Sequence, residues 1–83
     1  MMQLKPRDIA IQNSTLKVLI QELGQECERV MELISQLQLS NLQEDQKIEI
    51  LSGLIVSSIH LSSHCDEAFQ GLLADEIDHL SEI

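Results

Sequence analysis

Apolar residues recur at alternating intervals of four and three between residues 16 and 37. Seven residues form the series: Leu16, Ile20, Leu23, Cys27, Val30, Ile34 and Leu37. This heptad spacing is typical of a helix that packs lengthwise against another helix. Leu19, Met31 and Leu33 widen the apolar stripe beyond a two-stranded seam, which favours a place inside a helical bundle.

The segment LQLSNLQEDQ, residues 37–46, interrupts this pattern. Two pairs of residues in it have the three-residue spacing of a capping box: Ser40 with Gln43, and Asn41 with Glu44. We therefore expect a turn near residues 39–41 and a second helix that begins soon after it.

A second apolar face follows at 100° per residue. It passes through Ile48, Leu51, Ile55, Ile59, Phe69, Leu73, Ile77 and Leu80. Either one helix runs from about residue 42 to 80, or the helix bends within LSSHCDE, where Ser62 or Ser63 could cap a restart. We favour a mostly continuous helix because no proline follows Pro6.

These patterns predict an all-α fold, a helical hairpin of two long helices that pairs with a second copy into a dimeric four-helix bundle. Two helices alone leave the flanks of their apolar stripes exposed to water. A second copy of the chain could cover these flanks, so a homodimer is the main prediction. The alternative is a closed monomeric three-helix fold, made by breaking the second helix at Ser62. The core or dimer seam comprises Leu16, Ile20, Leu23, Cys27, Val30, Ile34, Leu37, Leu51, Ile55, Ile59, Phe69 and Leu73.

The domain is expected to span residues 14–83, with Asn13 or Ser14 as its N-cap. Residues 1–13 form an N-terminal arm, in which Pro6 could open an extra helical turn. The arm lacks the continuous apolar region of a signal peptide, so a cytoplasmic protein is expected.

Negative charge is concentrated in the second half of the chain. The formal net charge is −9. From Glu44 onward the sequence has nine acidic residues and only one basic residue, Lys47. Direct binding to nucleic acid or to an anionic membrane is disfavoured, because both depend on lysine and arginine. The excess suits either a basic protein partner or simple solubility. The predicted partner-binding residues are Asp66, Glu67, Asp75, Glu76, Asp78 and Glu82.

Histidines and acids supply the only candidate metal ligands. His60, His64 and Glu67 have the H-x3-H-x2-E spacing of a helical zinc site, but a helix surface provides neither a fourth ligand nor a dry pocket. We expect these side chains to point away from the core as solvated residues, and no cofactor is predicted. Glu76 and His79 have the spacing found in di-iron bundles, yet the first helix has no acid on its seam.

The two cysteines are not expected to pair. Around a turn near residue 41, Cys27 lies level with Val56 and Cys65 with Lys17, about ten residues or 15 Å apart. The sequence has no glycine-rich phosphate loop and no nucleophile motif. The favoured hypothesis is therefore a non-enzymatic interaction or regulatory protein that presents its acidic half to a basic partner. The alternatives are a metal-binding protein and a purely structural dimerisation module.

Overall fold

The computed structural model of the protein describes residues 9–81, which form three α-helices and no strand. Helix α1 spans Ser14–Leu37, α2 spans Glu44–His64, and α3 spans Glu67–Ser81. The all-α prediction is confirmed, whereas the prediction of two long helices is wrong. Expectations for residues 1–8 and for Glu82 lie outside the described residues.

Helix α1 begins and ends where the apolar pattern places it. Asn13 is the N-cap, and its Oδ1 accepts a hydrogen bond of 3.0 Å from the backbone N–H of Leu16. One of the first unpaired N–H groups of the helix is thereby satisfied. Leu16 itself is fully buried, so the cap fixes the chain at the point where α1 enters the core.

The turn between α1 and α2 is longer than predicted and covers residues 38–43. Asn41 has φ 66°, a left-handed conformation that asparagine tolerates better than most residues. The capping box uses Gln43 and Gln46, with Gln43 N–H donating to Gln46 Oε1 at 2.8 Å. The predicted pairs do not cap α2, because Ser40 and Asn41 lie within the turn itself.

The second apolar segment breaks at Cys65 and Asp66, and the axes of α2 and α3 differ by 48°. Asp66 Oδ1 accepts from the backbone N–H of Phe69 at 2.9 Å, so this carboxylate caps α3. Gln70 Nε2 donates to the Cys65 carbonyl at 2.9 Å across the break. The break thus falls inside the segment LSSHCDE, but at an aspartate rather than at the predicted serines.

Helix α1 packs along α2 and also contacts α3. The molecule is elongated and measures 56 × 26 × 16 Å. The smallest dimension is larger than the thickness of one helix with its side chains, about 10–12 Å. The predicted alternative of a closed three-helix core is not reached, since few of the described residues are buried: Leu16, Ile50, Ser57 and Phe69.

The side of α2 that packs on α1 is not the predicted one. Ile50 and Ser57 are buried and Leu54 and Leu61 are half-buried, all on one side of the helix. The opposite side carries the outer stripe, which is 50–64% exposed and consists of Ile48, Leu51, Ile55 and Ile59. A close approach at Gly53 explains the choice, because a Cβ there would lie only 3.3 Å from Leu33 Cδ2.

No single helix within residues 9–81 is both long and apolar enough to cross a membrane. Helices α2 and α3 meet that length and composition together, although they are bent by 48°.

Candidate functional site

A polar cluster of Glu26, Ser57 and His60 lies along one edge of the contact between α1 and α2. We call it the polar edge. His60 Nδ1 lies 3.2 Å from Glu26 Oε1, and the Glu26 side chain is only 12% exposed. The His60 side chain is itself 55% exposed, in line with the prediction of a solvated residue, but its contact with Glu26 was not predicted. Since α2 turns its Ser57 side toward α1, His60 comes within reach of a carboxylate on α1.

The charge state of Glu26 reflects opposing influences. The nearby Ser57 hydroxyl lowers the pKa of the Glu26 carboxyl most, burial raises it, and His60 and Arg29 lower it further. The net effect is a pKa below its ordinary value. Glu26 Oε2 and Ser57 Oγ have no hydrogen-bond partner, so the hydroxyl favours the carboxylate by proximity without completing a bond.

The residue types of the polar edge are those of a hydrolytic triad, but their arrangement is unsuited to catalysis. Ser57 is completely buried, and its Oγ makes no hydrogen bond to His60 or to any other group. A nucleophilic serine needs contact with its base and access to substrate. The polar edge is therefore a structural contact between helices.

The three candidate metal ligands are not brought together. His60 is engaged with Glu26, His64 is half-buried at the end of α2, and Glu67 lies beyond the break in α3. Among residues 9–81, no three His, Cys, Asp or Glu side chains form a group suited to a metal ion. Because the break separates His64 from Glu67, the helical spacing on which the H-x3-H-x2-E hypothesis depended does not hold.

The two cysteines are free thiols, and both are exposed. Cys27 belongs to the predicted seam of α1, together with Ile34, which is also exposed. The seam of α1 therefore faces α2 with one flank and solvent with the other. Leu23, Val30 and Leu37 lie on its half-buried flank.

The acidic residues of α3 and its cap are largely free in solvent. Asp66, Glu67, Asp75 and Asp78 are exposed, whereas Glu76 is half-buried and less available. The segment 66–81 contains no lysine or arginine. The segment therefore presents five formal negative charges with no cationic neighbour of its own.

An open cleft of about 450 Å³ lies beside the turn, but it offers no catalytic constellation. Its charged residues are Arg29 and Glu49, and the described residues around it include no histidine, cysteine or serine. The cleft is lined by Arg29, Leu33, Gln36, Leu39, Leu42, Gln46, Glu49, Ile50 and Gly53.

Comparison of the chain with protein-family models, with curated proteins and with solved structures gives no match. Its function is therefore inferred from the surfaces of the chain itself.

Proposed function

We propose that the chain is a small non-enzymatic interaction or regulatory protein that acts as a helical homodimer and presents its acidic α3 to a basic partner. The observation that supports this proposal is that one small molecule exposes both an apolar surface and an acidic surface. One is the outer stripe of α2, apolar and exposed. The other is the segment 66–81, which has five acids and no cation.

The two surfaces favour different kinds of contact. Apolar side chains at helical spacing gain free energy when another helix covers them, because burial removes them from water. Exposed carboxylates gain little from burial but steer a basic surface toward them over about one Debye length. The outer stripe is therefore assigned to self-association, and the α3 acids are assigned to the partner.

The assignment of the α3 acids is tested by charge reversal. In Asp75→Lys/Asp78→Lys we expect loss of any complex that the wild-type protein forms in extracts of its source cell at low salt. The matched control is Glu22→Lys/Glu32→Lys, which changes the net charge equally at exposed positions of α1. The bound protein is identified by mass spectrometry and should be released at 1 M salt, where the Debye length is about 3 Å.

The possible results separate the alternatives. Equal loss in both variants would show that net charge alone, rather than α3, governs binding. A complex that survives the α3 reversal would contradict the assignment. If Asp75→Lys/Asp78→Lys retains every cellular activity and still forms the homodimer, the chain is a structural dimerisation module instead.

A further inference from the structure

Exposed apolar residues of α1 and α2 share one side of the hairpin. Around α1, Met31 lies about 140° from Glu26, and around α2, Leu51 lies about 180° from His60. Since Glu26 and His60 mark the polar edge, both apolar residues belong to the opposite side. We call that side the open face and define it by Cys27, Met31, Ile34, Leu51 and Ile55, all of them exposed.

The open face is uncovered within residues 9–81, and its large apolar side chains, Met31, Ile34, Leu51 and Ile55, are 43–63% exposed. Stable interfaces remove about 800 Å² from each partner, and a face shared by two neighbouring helices is the kind of surface that can supply such an area. A second hairpin would cover the open face with side chains of the same kind, which is how helical hairpins complete a bundle.

Charge decides how the second copy is oriented. In a parallel pair, both copies of segment 66–81, each with a formal charge of −5, would lie at the same end of the bundle. In an antiparallel pair, each such segment lies beside the partner's residues 44–49, where Glu44, Asp45 and Glu49 outweigh Lys47 to give −2. Coulomb repulsion scales with the product of the charges, so the two copies repel each other less in the antiparallel pair than in the parallel pair.

We propose that a second copy of the chain docks antiparallel on the open face, so that α1 lies on α1 of the partner and the two Cys27 side chains meet near the two-fold axis. This inference rests on the homodimer proposed above. A two-fold axis that crosses the helices at their middle places like helices on each other. Cys27 lies within two residues of the midpoint of Ser14–Leu37, and Cys65 lies at the far end of the hairpin.

Thiol cross-linking tests the orientation. Cys65→Ser retains only Cys27, and with a short bis-maleimide we expect it to form covalent dimers in high yield. Cys27→Ser retains only Cys65, and we expect it to remain uncrosslinked, because about 15 Å of helix separates each Cys65 from the centre. Both exchanges are made at exposed positions, so the fold should persist. Cross-linking of Cys65 in preference to Cys27 would overturn the antiparallel arrangement while leaving the homodimer intact.

Lysine substitution tests the face. Leu51 and Val56 are almost equally exposed, at 50% and 46%, but Val56 lies toward the polar edge. Leu51→Lys should weaken the dimer by about 30-fold or more, as expected for a charge placed in an interface centre, whereas Val56→Lys should not. Lysine offsets the negative charge of the chain, so dissociation could not result from added acidic repulsion. Equal weakening by both variants would refute the open face as the interface.

Light scattering and flotation with vesicles of neutral phosphatidylcholine complete the test. A wild-type chain that stays monomeric at all concentrations would refute the homodimer itself, and with it the proposed function. A monomer that floats with the vesicles through Leu51 would assign the open face to lipid instead of a second copy.

Discussion

The side of α2 that packs on α1 contains glycine and serine, whereas the side that faces solvent contains isoleucine and leucine. Ser57 is fully buried and Gly53 makes the closest approach to α1. Ile55 and Ile59 are 63% and 60% exposed. The small residues bring two helices close together, and the large residues remain available for a surface outside the single chain.

This difference shows that hydrophobicity alone does not decide which side of α2 is buried. A helix that is apolar on two sides has two ways to pack, and side-chain size then matters. Close packing of helix axes favours the side with Gly53 and Ser57, because bulky side chains there would hold the helices apart. The outer stripe remains exposed in the single chain.

The largest effect should come from two isoleucines on opposite sides of α2. Ile50 is 8% exposed and Ile48 is 64% exposed. Ile50→Ala should lower the free energy of unfolding by about 2–3 kcal/mol at every protein concentration, through lost burial and a cavity. Ile48→Ala should cost less than about 0.5 kcal/mol once the chain is dilute. Urea denaturation at several protein concentrations measures both changes.

If Ile50→Ala prevents folding, the smaller change Ile50→Val should still cost about 1 kcal/mol. The comparison between the sides of α2 would be wrong if Ile48→Ala were as destabilising as Ile50→Ala in dilute protein.

A smaller effect is expected from two helical glycines in different surroundings. A Cβ at Gly71 would meet no atom within 4 Å, whereas one at Gly53 would lie 3.3 Å from Leu33 Cδ2. Gly71→Ala should raise the free energy of unfolding by about 0.5–1 kcal/mol through helix propensity alone. Gly53→Ala should gain less, because the Leu33 side chain must shift to make room. Thermal unfolding followed by circular dichroism compares them, and an equal gain would show that Gly53 is not a point of close approach.

The smallest effect concerns the polar edge and depends on pH. The pKa of Glu26 is lowered from its ordinary value of 4.5 in the folded protein, mainly by the Ser57 hydroxyl. The Glu26 carboxylate therefore contributes stability that is fully present above pH 4.5 and is lost as the pH falls through the lower folded-state pKa. Glu26→Gln should make stability less dependent on pH in this acidic window.

Unfolding curves measured between pH 3 and 6 for the wild type and Glu26→Gln check this dependence. Glu22→Gln removes an exposed acid from the same helix and serves as the control. A Glu22→Gln profile that flattens as much as that of Glu26→Gln would locate the effect outside the polar edge.

The sequence contains enough information to place α1, the turn and the region of the break. Asn13 is a strong local cap, and the segment LSSHCDE was recognised as the place where the second apolar segment could end. The cap of α3 was missed, although Asp66 is followed by Glu67 in the first turn of the helix, a combination that favours a helix start.

The packed side of α2 could not be read from periodicity, because apolar residues lie on both of its sides. The polar edge was missed for a related reason. Glu26 lies outside the heptad series of α1, and the helical wheel places His60 on the side of α2 opposite its predicted apolar face. The hairpin register places Glu26 level with residue 56, close to Ser57, so a comparison of polar residues at equal height would have found the cluster.

The junction at Cys65 and Asp66 gives α3 the geometry of a lever. Only these two residues join α2 to α3, and a helix of fifteen residues is about 22 Å long. A rotation of about 10° at the junction would move the last turn of α3 by about 4 Å while displacing Phe69 by only a fraction of that distance. A small change in the backbone dihedral angles of Cys65 or Asp66 would therefore shift the exposed acids at the end of α3 relative to any protein bound there.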